Sequence, residues 1–239
     1  MEQEKTKPLI HASLFEKKEA VDKLIEESAT TGEFYLLLLT SASIITFGLI
    51  LDSPSIVIGG MLLTPLFSPL LAIGLGIVLS SKKIIIRSFL NFLGLTVVII
   101  IASFIISFIF NVGGDVIPGG TPAIPGEILS RTIPKFEYLL VALIAGFMGT
   151  YFWVKPYLQN LVSGIIVAVA LVPPISCLGI GLGLFNRSII SGSLEFFIMN
   201  FVGILLGSIL AFSLFGFGQK GEQFVRVMEQ KTDETSKKE

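Results

Sequence analysis

The chain has 239 residues, of which 52% are hydrophobic and 15% charged, with a formal net charge of −1 at pH 7. A soluble domain carries about 25% charged residues, so the composition points away from that class and toward a membrane protein. One cysteine, Cys177, excludes an intramolecular disulfide, and the lone histidine, His11, lies in a polar N-terminal arm.

Taken in chain order, residues 1–33 form that arm. Ser13 and Glu16 have the spacing of a capping box, in which each side chain satisfies an orphan backbone N–H. Leu14, Val21, Leu24, Ile25 and Ser28 then fall on one side of a helix. Two readings fit: a surface helix that docks on the bilayer or a partner, and a solvated lead-in to the first span. No cleavable leader is expected, because the first apolar run begins only near Phe34.

Crossing the hydrocarbon takes roughly 20 apolar residues. Six stretches qualify: Phe34–Leu51, Pro54–Leu79, Ile84–Phe110, Phe136–Val154, Leu158–Leu184 and Leu194–Phe217. The connections DSPS, SSKK, KPY and NRSIISGS are short. Residues 111–135 are the exception, with five glycines, four prolines and a candidate helical turn at EILSR; a connection this long and unpatterned is usually functional or mobile. The expected layout is an arm (1–33), a six-span membrane domain (34–217) and a tail (218–239). With the N-terminus in the cytoplasm, 14 of the 17 Lys and Arg lie inside, and Arg131, Lys135 and Arg187 outside. Both termini are then cytoplasmic and the chain sits in the cytoplasmic membrane. Tyr35, Tyr138, Tyr151, Trp153 and Tyr157 fall near span ends, where amphipathic rings prefer to lie.

The chain also matches itself. Gly74-Leu75-Gly76-Ile77 pairs with Gly181-Leu182-Gly183-Leu184, and Asn91-Phe92-Leu93-Gly94-Leu95 with Asn200-Phe201-Val202-Gly203-Ile204, at offsets of 107 and 109. The fold expected is therefore an all-α polytopic bundle made of two repeats, about 34–110 and 136–217. Three spans per repeat invert the second copy relative to the first. Inverted repeats with interrupted helices in matching positions recur in secondary transporters, with the binding site near the midplane.

Pro65 and Pro69 lie near the centre of the second span, and Pro173 and Pro174 near the centre of the fifth. An interior proline removes a hydrogen bond and clashes with the carbonyl four residues back. Thr64, Ser68 and Ser176 are placed to satisfy the freed groups. A complete break would make Ser68 an N-cap with Pro69 at the first helical position, and Pro173 or Pro174 would start the matching half-helix. Two half-helix N-termini then meet at the centre and favour an anion or the negative part of a polar solute. The alternative is a pair of kinks packed on neighbouring helices, with the glycines serving helix contact.

Other polar residues within the spans are few. Asn91 and Asn200, at equivalent repeat positions, either line the same cavity or make interhelical hydrogen bonds. Glu195 and Arg87 sit where they can snorkel, and Asp52 and Asp115 mark span ends. Glu127 and Arg131, spaced i, i+4, form either an outer gate or an exposed structural pair. Gly203 and Gly207 carry a GxxxG that would suit self-association. No carboxylate lies at a span centre, and there is no buried base, phosphate loop, metal cluster or basic nucleic-acid face. An enzyme is not expected, nor a cofactor, a bound metal or a nucleic-acid partner.

The runs DSPSIVIGGMLLTPLFSPLLAIGLGI, EILSRTIP and VAVALVPPISCLGIGLGL resemble the prokaryotic membrane family known as domain of unknown function 389, over about Phe34–Phe217. The resemblance implies about six spans and marks Pro65, Ser68, Pro69, Glu127, Arg131, Pro173 and Pro174 as functional or fold-defining. It implies no activity. Many members carry a sizeable cytoplasmic domain, reduced here to the arm and tail. The expected function is a transport protein, carrier or channel, for a small polar and by helix-end polarity anionic solute or ion. Its partners are the bilayer, that solute and further copies of the chain. The rival is a non-transporting oligomeric scaffold or signalling protein.

Overall fold

The computed structural model describes residues 12, 14–27, 32–110, 124–155, 157–158 and 171–218, and every regular element among them is helical. In chain order these are α1 (Leu14–Glu27), α2 (Gly32–Ile50), α3 (Pro54–Met61), α4 (Phe67–Val78), α5 (Lys82–Ile109), α6 (Gly126–Ser130), α7 (Phe136–Val154), α8 (Val172–Gly183) and α9 (Arg187–Leu214). The proline-free apolar runs become α2, α5, α7 and α9, each long and apolar enough to cross a membrane. At about 1.5 Å per residue, the 19 residues of α2 and α7 reach about 28 Å and the 28 of α5 and α9 about 42 Å. The second expected span is divided between α3 and α4. Of the fifth, only Leu158 and the part from Leu171 onward lie within the described residues.

Polarity is arranged as in an apolar solvent. On α9, Leu194, Ile198, Val202, Leu206, Leu210 and Leu214 form an exposed line at i, i+4 spacing, while Ser193, Asn200 and Ser208 are buried. On α5 the exposed line is Phe89, Leu93, Val97, Ile101, Ile105 and Ile109. Each member of that line precedes its α9 counterpart by 105 residues.

The same interval governs the turns. α4 and α8 are both 12 residues long. After each, one residue takes a left-handed conformation, Ser80 at φ 56° and Phe185 at φ 52°. Ser81 N–H then reaches the Gly76 carbonyl and Ser80 N–H that of Ile77; Asn186 and Phe185 repeat the pair with Gly181 and Leu182. This is the helix stop in which two orphan carbonyls are closed by the residues just beyond. Ser81 and Asn186 next serve as N-caps, with φ −94° and −95°. Helix thus takes up half of SSKK and all of NRSIISGS but its first residue: α9 starts at Arg187, seven residues before the expected Leu194, because Asn186 accepts from the Ser188 and Ile189 N–H groups. The offsets of 107 and 109 are replaced by 105. Asn91 then corresponds to Phe196 and Asn200 to Leu95, so the two asparagines are not equivalent.

Packing is reciprocal at that interval. A Cβ on Gly74 of α4 would meet Ser208 of α9; one on Gly179 of α8 would meet Ser103 of α5, with the Ile100 carbonyl at 2.5 Å. The GxxxG glycines of α9 are spent inside the chain. Gly203 lies against Ala142, and Gly207 against the Leu143 carbonyl and Phe147 N of α7, so they form no self-association face.

Contacts fix two ends of the bundle. At one, Glu16 meets Lys155 and Lys17 meets Gly216, while Gly218 approaches Val78. At the other, Phe47 packs on Phe110, Asp52 meets Glu127, and Gly192 abuts Thr132. α2 and α5 therefore run from the first end to the second, and α7 and α9 run back. α4 ends at the first, α8 at the second.

Gly207→Leu drives a side chain into the α7 backbone and is expected to cost about 1–3 kcal/mol or more. Gly94→Ala, where nothing lies within 4 Å, should be neutral or gain about 0.5–1 kcal/mol. Thermal unfolding in detergent measures both.

Candidate functional site

The residues between α3 and α4 form the first part of the site. The helical ladder lapses there because neither Pro65 nor Pro69 has an N–H to return to the carbonyl four residues back. Leu63 N–H turns to the Gly60 carbonyl at 3.1 Å and Thr64 N–H to that of Met61 at 3.2 Å. Ser41, midway along α2, donates to the Gly60 carbonyl at 2.8 Å and hydrogen-bonds the Thr64 hydroxyl. Thr64 Oγ1 also lies 3.4 Å from the Gly60 carbonyl, an alternative acceptor for the proton it shares with Ser41. All of this is buried: Ser41 is 0% and Thr64 4% exposed. One and a half turns along α2, Thr46 pairs with Ser103 of α5 at 2.8 Å. A run of hydroxyls thus lies within a bundle whose outside is aliphatic.

α4 starts at Phe67 after Leu66, whose angles are already helical and whose side chain makes no cap bond. The expected Ser68 cap is therefore displaced: Ser68 and Pro69 are the second and third helical residues. There a missing N–H costs nothing, since the first turn's donors lack intrahelical partners anyway. In α8, Val172 is first, with Pro173 and Pro174 second and third, after a helical Leu171. Pro69 and Pro174 thus hold the same place, 105 residues apart. These prolines also remove first-turn N–H donors, which leaves fewer than the sequence argument supposed. Pro69, Pro173, Pro174 and Ser68 are buried, and Pro65 is half-buried. Ser176 is fully buried and its Oγ has no hydrogen-bond partner. It lies three and seven residues before Gly179 and Gly183, which press on α5, so helical periodicity turns it toward α5 as well. Cys177 is 0% exposed. Asn200 is buried in α9 and Asn91 half-buried in α5.

Each end of the bundle is covered by a short helix. At the second end, Asp52 Oδ1 accepts from Glu127 N–H at 2.6 Å, doing for α6 what its own N-cap, Pro125, cannot. Arg131 Nη2 donates to Glu127 Oε2 at 3.3 Å, and Ile128 is fully buried. At the first end, α1 docks on the chain itself rather than standing solvated. Ala20, Val21 and Leu24 are buried, Trp153 Nε1 donates to the Ala20 carbonyl at 3.2 Å, and Lys155 pairs with Glu16 at 3.2 Å. Trp153 is consequently an internal anchor, 4% exposed, and not part of a surface aromatic belt. Ser13, the other half of the expected capping box, lies outside the described residues, as do Asp115 and residues 159–170. The Asp52–Glu127 and α1 contacts join residues 75 to 199 apart in sequence, and no local pattern announces them. Among the described residues no group of three His, Cys, Asp or Glu could hold a metal ion.

The model of the family described as "Domain of unknown function (DUF389)" matches residues 61–206, which include the interrupted stretch, α6 and α8. An uncharacterized protein of Methanocaldococcus jannaschii is 27% identical over 212 residues, 84% of this chain and 62% of that protein, so the chain spans less than two thirds of its relative. No solved structure matches.

Removing the Ser41 hydroxyl strips the Gly60 carbonyl of its 2.8 Å partner, whereas Thr64→Val leaves that bond in place. Ser41→Ala is expected to cost about 1–3 kcal/mol and Thr64→Val about 1 kcal/mol, read from denaturant or thermal unfolding in one detergent.

Proposed function

We propose that this chain, which belongs to the Domain of unknown function (DUF389) family, is a membrane transport protein. As a carrier or channel it passes a small polar solute through a midplane site at its interrupted helices. The observation that carries the reading is the hydroxyl-lined interruption itself. Non-helical backbone at membrane depth is tolerated only where protein or a water-filled cavity covers it, and here Ser41 and Thr64 bond across it, while Ser176, early in α8, is buried without a partner.

The six-span, two-repeat layout supports the reading. The helix, stop, cap and lipid-facing line recur at 105 residues, and α2 and α5 run opposite to α7 and α9, which is the relation an inverted pair requires. The second span is divided between α3 and α4, and Pro69 and Pro174 hold the same place in the first turns of α4 and α8. Their helix ends favour the negative part of a solute. In this reading the end bearing α1, Lys17 and Lys155 faces the cytoplasm and the end bearing Arg131 and Arg187 faces outward, in accord with the excess of basic residues inside. The protein then sits in the cytoplasmic membrane of a prokaryotic cell, and no part of the mechanism needs a catalytic group.

Proteoliposomes shrunk by an osmotic step test this. Potassium formate, nitrate or chloride with valinomycin, or glycerol alone, serves as the permeant. Reswelling faster than that of empty liposomes is expected for at least one of these, slowed about tenfold by Thr64→Val or Ser176→Ala, the effect of losing one hydrogen bond in the passage. Rates equal to those of empty liposomes for all four, with the protein folded, would instead favour the scaffold reading.

A further inference from the structure

The guanidinium of Arg131 is only half used. Its Nη2 is 3.3 Å from Glu127 Oε2, while its Nε is buried and has no partner. Nε and Nη2 lie along one edge of the group, the edge that takes a carboxylate or another oxyanion through two parallel bonds. Glu127 supplies one of the two oxygens that this edge accepts.

A second buried group without a partner lies in the same region. Ser193 is 0% exposed and its Oγ is unbonded. It follows Gly192, which sits so close to the carbonyl of Thr132, the residue after Arg131, that a Cβ would overlap it. Gly181 of α8 packs on Ile189 of α9, so one helical turn further on Ser193 faces Cys177. Arg131 and Ser193 are therefore each one residue from the Thr132–Gly192 contact, beside α6. An unpaired buried donor is costly enough that native proteins rarely keep one, and two in one place call for an acceptor.

We propose that Arg131 Nε and Ser193 Oγ form a binding site for a small oxyanion of the carboxylate, nitrate or bicarbonate class. One oxygen takes the Nε–H and the Ser193 hydroxyl. The other competes with Glu127 for Nη2, so that arrival of the anion loosens the Glu127–Arg131 pair. This site would be the solute's first contact at the outer end, and to that extent it rests on the transport reading.

The test uses the full chain in detergent and involves no flux, so the two proposals fail separately. Potassium formate replaces potassium chloride at constant ionic strength while the unfolding midpoint is followed. A saturable rise is expected, absent in Arg131→Lys and weakened in Ser193→Ala. In Glu127→Gln, where the competing carboxylate is gone, half-saturation should fall about tenfold. A non-saturable rise, or an equal rise in Ser193→Ala and the wild type, overturns the site. So does the absence of any response in both the wild type and Glu127→Gln. Should Arg131→Lys fail to fold, Ser193→Ala and Glu127→Gln decide.

Discussion

Helices in this bundle meet where a glycine lets one lie against another, and two such crossings seat its short helices. α4 and α8 have 12 residues apiece, about 18 Å at 1.5 Å per residue, and neither spans the hydrocarbon alone. Gly74 seats α4 on Ser208 of α9, and Gly179 seats α8 on Ser103 of α5. In lipid no hydrophobic force drives helices together, so close backbone approach and interhelical polar contacts must do so. Each crossing joins elements far apart in the chain: α4 rests on α9, and α8 on α5. Disturbing one therefore disturbs the relation between distant elements and not merely one hairpin.

The second constraint is the accounting of backbone polar groups where water is scarce. Helix ends here close their own carbonyls, at Ser80, Phe185, Asp52 and Gly216, each with positive φ. Three of those four are not glycine, and the left-handed conformation costs an L-residue about 1–2 kcal/mol. That cost is accepted where the turn must be three residues long. Elsewhere distant side chains serve, Ser41 for Gly60 and Asp52 for the start of α6. Among the described residues, the buried side-chain atoms left unpaired include Ser176 Oγ, Ser193 Oγ and Arg131 Nε.

The four long helices were legible in the sequence because length and apolarity alone specify them, and Pro65 and Pro69 marked the interruption between α3 and α4. The likeness of the α4–α5 and α8–α9 turns was legible but its register was not. The run Gly179-Ile180-Gly181-Leu182-Gly183 offers two overlapping Gly-x-Gly matches to Gly74-Leu75-Gly76, and composition cannot choose between them. The turns choose, through Ser80 and Phe185. Helix starts at Lys82 and Arg187 were hidden because charged and small residues read as loop, although Ser81 and Asn186 are good caps. The dockings of α1 and α6 depend on contacts between distant residues, which a single chain's pattern does not encode. The GxxxG of α9 was visible, but its partner, α7, was not.

Transport as proposed requires that the interruption between α3 and α4 meet water and not lipid. Leu63 sits in that interruption with 40% of its surface exposed, so a thiol placed there would report directly. The measurement is labelling of Leu63→Cys, in a Cys177→Ala background, by membrane-impermeant thiol reagents applied to each side of oriented vesicles. Leu206→Cys on the lipid-facing line of α9 serves as the control. The account predicts modification at position 63 from at least one side, with position 206 silent until the protein is denatured. Silence at 63 from both sides, with reactivity restored on denaturation, would contradict it and leave the interruption as a dry, packed kink.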